Sequence, residues 1–123
     1  MPDVFPLWHI ALNAAVLAAV SLIVLLAAQW RLKPPPLRSL GDAIAVSVVI
    51  GLVMLAWRSV ANVAELNRDP VPGVSPNDAL SLVVAYVGLG LYASFRRPGD
   101  ARRWEQTRAL LALVALVVNI VVI

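Results

Sequence analysis

The sequence of 123 residues contains no cysteine, one histidine and few charged side chains. Without cysteine the chain has no disulfide bonds, no thiolate metal sites and no thiol redox chemistry. Only 14% of the residues are charged and 61% are hydrophobic, whereas a soluble domain carries about 25% charged residues. This composition is typical of a chain that lies mostly within a lipid bilayer.

Sequence patterns that bind nucleotides or present a catalytic nucleophile are also missing. The chain has no G-x-S-x-G, P-loop or G-x-G-x-x-G sequence. The only histidine, His9, has no carboxylate near it in sequence, and a metal site needs several His, Cys, Asp or Glu donors. No basic stripe is interleaved with aromatic residues, as a nucleic-acid-binding surface would require. We therefore expect no enzymatic activity, cofactor, metal ion or nucleic-acid partner.

The chain does contain four apolar runs of the length that crosses a membrane. A helix rises about 1.5 Å per residue, so about 20 residues cross a hydrocarbon core about 30 Å thick. We predict an all-α fold, an integral membrane four-helix transmembrane bundle that forms a single membrane domain over residues 1–123. The predicted spans cover about residues 7–30, 41–62, 77–95 and 104–123. Positive charge follows the first run instead of preceding it, which favours an uncleaved span over a signal peptide.

Proline-rich and glycine-rich segments separate these runs and predict where the helices begin. Three consecutive prolines in "KPPPL" end the first helix. In the next segment, "SLGD", Ser39 is a candidate N-cap and Asp42 its capping partner. In "SPND", Ser75 can cap the third apolar helix, and Asp78 favours the positive end of its dipole.

Positive residues are concentrated in the first and third connections, which predicts the orientation of the chain. These predicted inner-loop topogenic charges are Arg31, Lys33, Arg38, Arg96, Arg97, Arg102, Arg103 and Arg108. The remaining chain supplies only Arg58 and Arg68. Because cytoplasmic loops carry the excess of Lys and Arg, we expect a bacterial inner (cytoplasmic) membrane protein with its N-terminus and C-terminus outside. The predicted membrane-interface anchors are Trp8, Trp30, Trp57 and Trp104, since indole rings favour that layer.

The stretch "AWRSVANVAEL", residues 56–66, places polar residues at the predicted outer interface and allows two interpretations. In the first, the second helix continues past the membrane, and Arg58, Asn62 and Glu65 share one solvated face. In the second, a network of Glu65, Arg58 and His9 links the first two spans, because polar groups in lipid tend to face the bundle interior. The candidate outer-leaflet polar cluster comprises His9, Asn13, Arg58, Asn62, Glu65 and Asn119.

Small residues recur four positions apart within two of the predicted spans. One stripe comprises Ala11, Ala15 and Ala19, and a second pair comprises Gly90 and Ser94. Such spacing lets helices approach closely. The stripes therefore serve packing within the bundle or oligomerisation, and the sequence leaves both open.

In overall plan, with four spans, short charged connections and this length, the chain resembles small multi-span holins and holin-like proteins of phages that infect high-GC bacteria. The resemblance implies a phage or bacterial inner-membrane protein that self-associates and permeabilises the bilayer. It rests on architecture, so no functional residue is carried over. The alternatives are a non-catalytic accessory subunit of a larger membrane protein complex and, third, a small channel or transporter. The expected partners are the lipid bilayer and either further copies of the chain or a larger membrane complex.

Overall fold

A computed structural model describes residues 4–67, 74–96 and 99–122 and confirms the predicted all-α fold. The described residues form helices and connections with no β-strand. The five helices are α1 (Leu7–Arg31), α2 (Leu40–Val60), α3 (Ala64–Asn67), α4 (Pro76–Phe95) and α5 (Ala101–Val122). All but the short α3 are long and apolar enough to span a membrane.

The four long helices form an antiparallel bundle in which each packs against two neighbours. Helix α1 contacts α2 and α5, and α4 contacts α5 and α2, so the helices form a closed ring. The short α3 contacts α4 at one end of the bundle. Because consecutive long helices run in opposite directions, α1 and α4 begin at the end of the bundle where α2 and α5 finish.

The centre of the bundle is filled by apolar side chains, which we call the apolar waist. These side chains are at most 1% exposed and come from all four long helices: Leu17, Ile50, Met54, Ala85, Leu89, Leu111 and Ala115. This buried apolar layer separates the polar side chains at the two ends of the bundle.

Glycine permits close helix approach at two positions on α2 and α4. A Cβ atom added to Gly51 would lie 3.1 Å from the Ala18 Cβ of α1. A Cβ added to Gly88 would lie 3.0 Å from both γ-carbons of Val53 on α2. Both distances are shorter than ordinary van der Waals contact, so these glycines set the spacing of α2 from its two neighbours.

Helix α2 ends earlier than the first interpretation of residues 56–66 required. The helix finishes at Val60, and the Val63 amide donates to the Ala61 carbonyl. The same carbonyl accepts a hydrogen bond of 2.8 Å from the Asn77 side chain of α4. Because this donor satisfies a terminal carbonyl, the chain turns at Ala61, and Asn62 does not continue the helical face of Arg58.

Candidate functional site

The polar side chains of the bundle are distributed unequally between its two halves. All five asparagines of the chain lie in the half where α1 and α4 begin, which we call the asparagine half. The opposite half contains the α1–α2 and α4–α5 connections, and we call it the arginine half. The asparagines are Asn13, Asn62, Asn67, Asn77 and Asn119.

A buried ion pair joins α2 to α4 in the asparagine half. The Arg58 Nη1 atom lies 3.3 Å from the Asp78 Oδ1 atom, and the two side chains are 1% and 6% exposed. The other carboxylate oxygen of Asp78 accepts the Ser75 amide at 2.9 Å. The Arg58 guanidinium also lies 5.7 Å from the centre of the Phe5 ring, within the range of a cation–π contact. The first interpretation, in which Arg58 lies on a solvated face, is therefore wrong for this residue.

The segment before α1 is held against this ion pair by Asn62. The Phe5 amide donates to the Asn62 Oδ1 atom at 3.0 Å, and the Asn62 Nδ2 atom donates to the Phe5 carbonyl at 2.7 Å. One side-chain amide thus satisfies both backbone groups of Phe5, much as a neighbouring β-strand would.

Two further asparagines extend this arrangement to α4. The Asn67 side chain donates to Asn62 at 2.9 Å, and the Asn77 side chain donates to Asn67 at 2.6 Å. Asn77 is fully buried, and these bonds connect the segment before α1, helix α3 and α4. A chain of hydrogen bonds with little water access fixes its members in one arrangement.

A separate polar contact joins α1 to α5. The Asn13 Nδ2 atom donates to the Asn119 Oδ1 atom at 3.0 Å, and both side chains are fully buried. Asn119 itself donates to the Ala115 carbonyl one turn earlier on α5. The Asn13 Oδ1 atom accepts no hydrogen bond from the described residues.

His9 contacts the end of α5 and two aromatic rings. Its Nε2 atom lies 2.6 Å from the Val122 carbonyl oxygen, so this nitrogen carries the proton and donates. The His9 ring stacks on Trp8 at 5.3 Å between ring centres and lies perpendicular to the Phe5 ring at 5.4 Å. The ring therefore helps to close one end of the bundle.

The structure brings the predicted polar cluster together only in parts. Asn13 and Asn119 contact each other, whereas Arg58 and Asn62 meet at Phe5. Glu65 is exposed on α3 and makes no ion pair or hydrogen bond within residues 4–67, 74–96 and 99–122. The suggested network of Glu65, Arg58 and His9 is therefore not formed among the described residues, because Asp78 occupies the position next to Arg58.

The four tryptophans lie in different surroundings. Trp8 and Trp30 are 68% and 79% exposed at opposite ends of α1, where an interfacial role stays a prediction. Trp57 packs partly against the core, and Trp104 is only 4% exposed within it. Because Trp104 is surrounded by protein, its ring lies in the core of the bundle and not on its lipid-facing surface.

The predicted topogenic residues that the structure describes all lie in the arginine half. The exposed ones are Arg31, Lys33, Arg38, Arg96 and Arg102, and the half-buried ones are Arg103 and Arg108. Arg97 lies outside the described residues. Arg102, Arg103 and Arg108 belong to α5 itself instead of the preceding connection.

The sequence interpretation missed a polar group that α4 and α5 present in the arginine half. The Tyr86 hydroxyl donates to Glu105 at 2.9 Å, and Arg108 Nη1 donates to the same carboxylate at 2.9 Å. The Arg108 guanidinium lies 3.6 Å from the centre of the Tyr86 ring. The i, i+3 spacing of Glu105 and Arg108 could have indicated their contact, but nothing local indicates Tyr86.

The four long helices of the bundle are long and apolar enough to cross a bilayer. The protein is a small integral membrane protein. Comparison with protein-family models, curated proteins and solved structures finds no match. Among the residues described by the structure, no group of three or more His, Asp or Glu side chains could hold a metal ion. The polar contacts of the asparagine half join α1 to α5, α2 to α4 and α3 to α4.

Proposed function

We propose that this protein is a holin-like membrane protein that permeabilises a bacterial inner membrane by self-association. The observation that carries the proposal is the apolar waist, whose side chains are at most 1% exposed. Within the described part of the chain, a single bundle thus has no continuous polar path for ions or water. A protein of this build that acts on membrane permeability would need several copies.

The outer surface of α1 and α2 supports lateral association. A shallow apolar groove of about 270 Å³ lies between these helices and is lined in part by Ala11, Ala15 and Gly51. Ala11, Ala15 and Ala19 are exposed, so the alanine stripe faces outward from the bundle. Small residues on an outward face allow a helix of a second copy to approach closely.

Inducible expression in a bacterium tests the proposal through the membrane potential. We expect a potential-sensitive dye to report depolarisation after induction, and a co-expressed endolysin to lyse the cells. Ala15→Leu fills the groove and should delay depolarisation, because it keeps neighbouring helices apart. Ala56→Leu is the matched control, since Ala56 is exposed on α2 but does not line the groove.

Persistence of the potential at every expression level would contradict the proposal. Stoichiometric co-purification with larger membrane subunits would then favour the accessory-subunit role. Depolarisation that is unaffected by Ala15→Leu would place the contact between copies elsewhere on the bundle.

The inner-membrane location and the orientation form part of the same proposal. The absence of native cysteine allows single-cysteine labelling without background. Arg38→Cys should react with an impermeant reagent only after the cells are opened, and Glu65→Cys should react in intact cells. Labelling must be done before the membrane potential falls, and the opposite pattern would reverse the orientation.

A further inference from the structure

A cavity in the arginine half lies between the end of α4 and the beginning of α5. Its volume is about 480 Å³, and its lining includes Gly90 and Ser94 of α4 with Trp104, Glu105 and Arg108 of α5. Leu91 and Phe95 follow the lining residues Gly90 and Ser94 in the sequence of α4, and they are 60% and 90% exposed. The cavity therefore combines a charged wall with an apolar border.

Arg108 supplies the charged wall and leaves one nitrogen unpaired. Its Nε atom donates to the Tyr86 carbonyl at 2.8 Å, and Nη1 donates to Glu105. Nη2 makes no hydrogen bond to any residue in the described ranges. It lies over Gly90, where a Cβ atom would overlap it. Glycine at this position therefore leaves the room that the guanidinium occupies beside the cavity.

Arg108 directly precedes the uninterrupted apolar run of α5 at residues 109–118. Arg108 follows Ala101, the first residue of α5, by about 10 Å along the helix axis. Helical side chains lean toward the N-terminus of their helix. For α5 this is the end of the bundle that contains the α1–α2 and α4–α5 connections. The guanidinium therefore reaches from an apolar segment toward the layer of lipid headgroups, as long basic side chains do.

The charged residues that line the cavity, Glu105 and Arg108, pair with each other, but the arginine half as a whole favours an anion. The described arginine half carries seven basic side chains, the residues from Arg31 to Arg108 given above, against three acidic ones. The acidic residues are Asp42, Asp100 and Glu105. Asp42 is already paired with Arg96 at 2.7 Å, and Glu105 accepts from both Tyr86 and Arg108. An excess of positive charge remains to attract a negatively charged group.

We propose that this cavity binds the phosphate of an anionic phospholipid headgroup, with Arg108 Nη2 as its principal donor. Guanidinium groups bind phosphate oxygens through short, charge-assisted hydrogen bonds. The apolar border at Leu91 and Phe95 fits the first carbons of the acyl chains, which favours a lipid over free phosphate. The site goes beyond the proposed permeabilising activity and does not depend on it.

Native mass spectrometry of the purified full-length protein in a neutral detergent tests the site. The probes are phosphatidylglycerol, phosphatidylcholine and diacylglycerol. The first has an anionic headgroup, the second has a zwitterionic headgroup, and the third has no phosphate. We expect the wild type to prefer phosphatidylglycerol by about tenfold or more over the other two. Arg108→Gln should reduce this preference to within about twofold, because it removes the charged donor.

Two further variants separate the cavity from general surface charge. Arg102→Gln removes the same charge from an exposed position on α5 outside the cavity lining and should keep the preference. Ser94→Leu fills the cavity from an exposed position without changing charge and should abolish it. Because Ser94 is exposed, this variant still tests the site if Arg108→Gln fails to fold.

Three outcomes would overturn the proposal. Equal preference in all variants would assign binding to diffuse charge. If inorganic phosphate binds at Arg108 and phosphatidylglycerol does not displace it, the site belongs to a free anion. A lipid-free dimer that Ser94→Leu dissociates would assign the cavity to a second copy of the chain.

Discussion

The two halves of the bundle use the same short pattern, Ser-x-x-Asp, in different surroundings. In the arginine half, the Ser39 hydroxyl accepts the Asp42 amide at 3.2 Å at the beginning of α2. The Asp42 carboxylate then accepts from Arg96 at 2.7 Å. Asp42 is 5% exposed, but the Arg96 side chain is 63% exposed.

The asparagine half buries both partners of the equivalent pair. The Ser75 hydroxyl accepts the Asp78 amide, and the Asp78 carboxylate accepts the Ser75 amide in return, which completes a capping box. Asp78 also pairs with Arg58, whose side chain is 1% exposed. One carboxylate thus caps a helix and neutralises a buried cation.

The comparison shows that local sequence sets the cap, whereas the surrounding helices set the energetic weight of the ion pair. Exposed ion pairs contribute about 0–1 kcal/mol. Removing one partner of a buried pair costs about 3–5 kcal/mol, because the other charge is left without compensation. The asparagine half should therefore be the more sensitive half to loss of charge.

The largest expected effect comes from Arg58→Gln, compared with Arg96→Gln. Loss of Arg58 leaves Asp78 buried and unpaired and should lower the free energy of unfolding by roughly 3–5 kcal/mol. Loss of Arg96 should cost less, because the Arg96 side chain is 63% exposed and solvent screens its attraction to Asp42. Denaturant unfolding in mixed micelles measures both, and the double variant Arg58→Met/Asp78→Leu should recover much of the loss. Equal effects of the two glutamine variants would contradict the comparison.

A smaller effect is expected from Asn13→Leu, which leaves Asn119 without its partner on α1. The substitution leaves the Asn119 Oδ1 atom without its donor, but it also removes the Asn13 Oδ1 atom, which has no partner among the described residues. The loss should therefore be that of one hydrogen bond between membrane helices, at most about 1.7 kcal/mol. The double variant Asn13→Leu/Asn119→Leu should be less destabilised than the sum of the singles in the same unfolding assay. Strict additivity would indicate that the two side chains act independently.

The two caps provide the next contrast. Ser75→Ala should cost about 1 kcal/mol, and more than Ser39→Ala, because Ser75 belongs to a reciprocal box and Ser39 does not. Hydrogen exchange at the Asp78 and Asp42 amides measures each cap locally. We expect Ser75→Ala to speed exchange at Asp78 more than Ser39→Ala speeds exchange at Asp42. The opposite result would contradict the expected difference between the two caps.

The smallest effect is expected from Glu65→Ala. Glu65 is exposed on α3, and substitutions at such positions usually change stability by less than about 0.5 kcal/mol. An unchanged free energy of unfolding would show that Glu65 does not act together with Arg58, although the sequence interpretation placed both residues in one cluster. A loss as large as that of Arg58→Gln would place Glu65 in the buried network.

The sequence was sufficient where the determinant is local. The apolar runs predicted the all-α fold, and the caps at Ser39 and Ser75 follow from residues three positions apart. The alanine stripe of α1 was also visible, although its outward direction was not. Each of these features depends on residues within one helix or at its first turn.

The sequence was insufficient where the partner lies on another helix. Arg58 and Asp78 are separated by a connection, and no spacing rule relates them. The end of α2 at Val60 depends on a donor from Asn77, which local sequence does not show. Trp104 looked interfacial because it begins an apolar run, but its surroundings in the bundle bury it.

The apolar waist has a consequence for how permeability would depend on the amount of protein. A monomer that conducted ions through its own interior would raise leakage in proportion to its density in the bilayer. If the interior of a single bundle does not conduct, leakage instead rises with a power of that density. The exponent gives the number of chains that assemble into one lesion. A graded series of induction levels would therefore yield the stoichiometry of the lesion from the slope of a logarithmic plot.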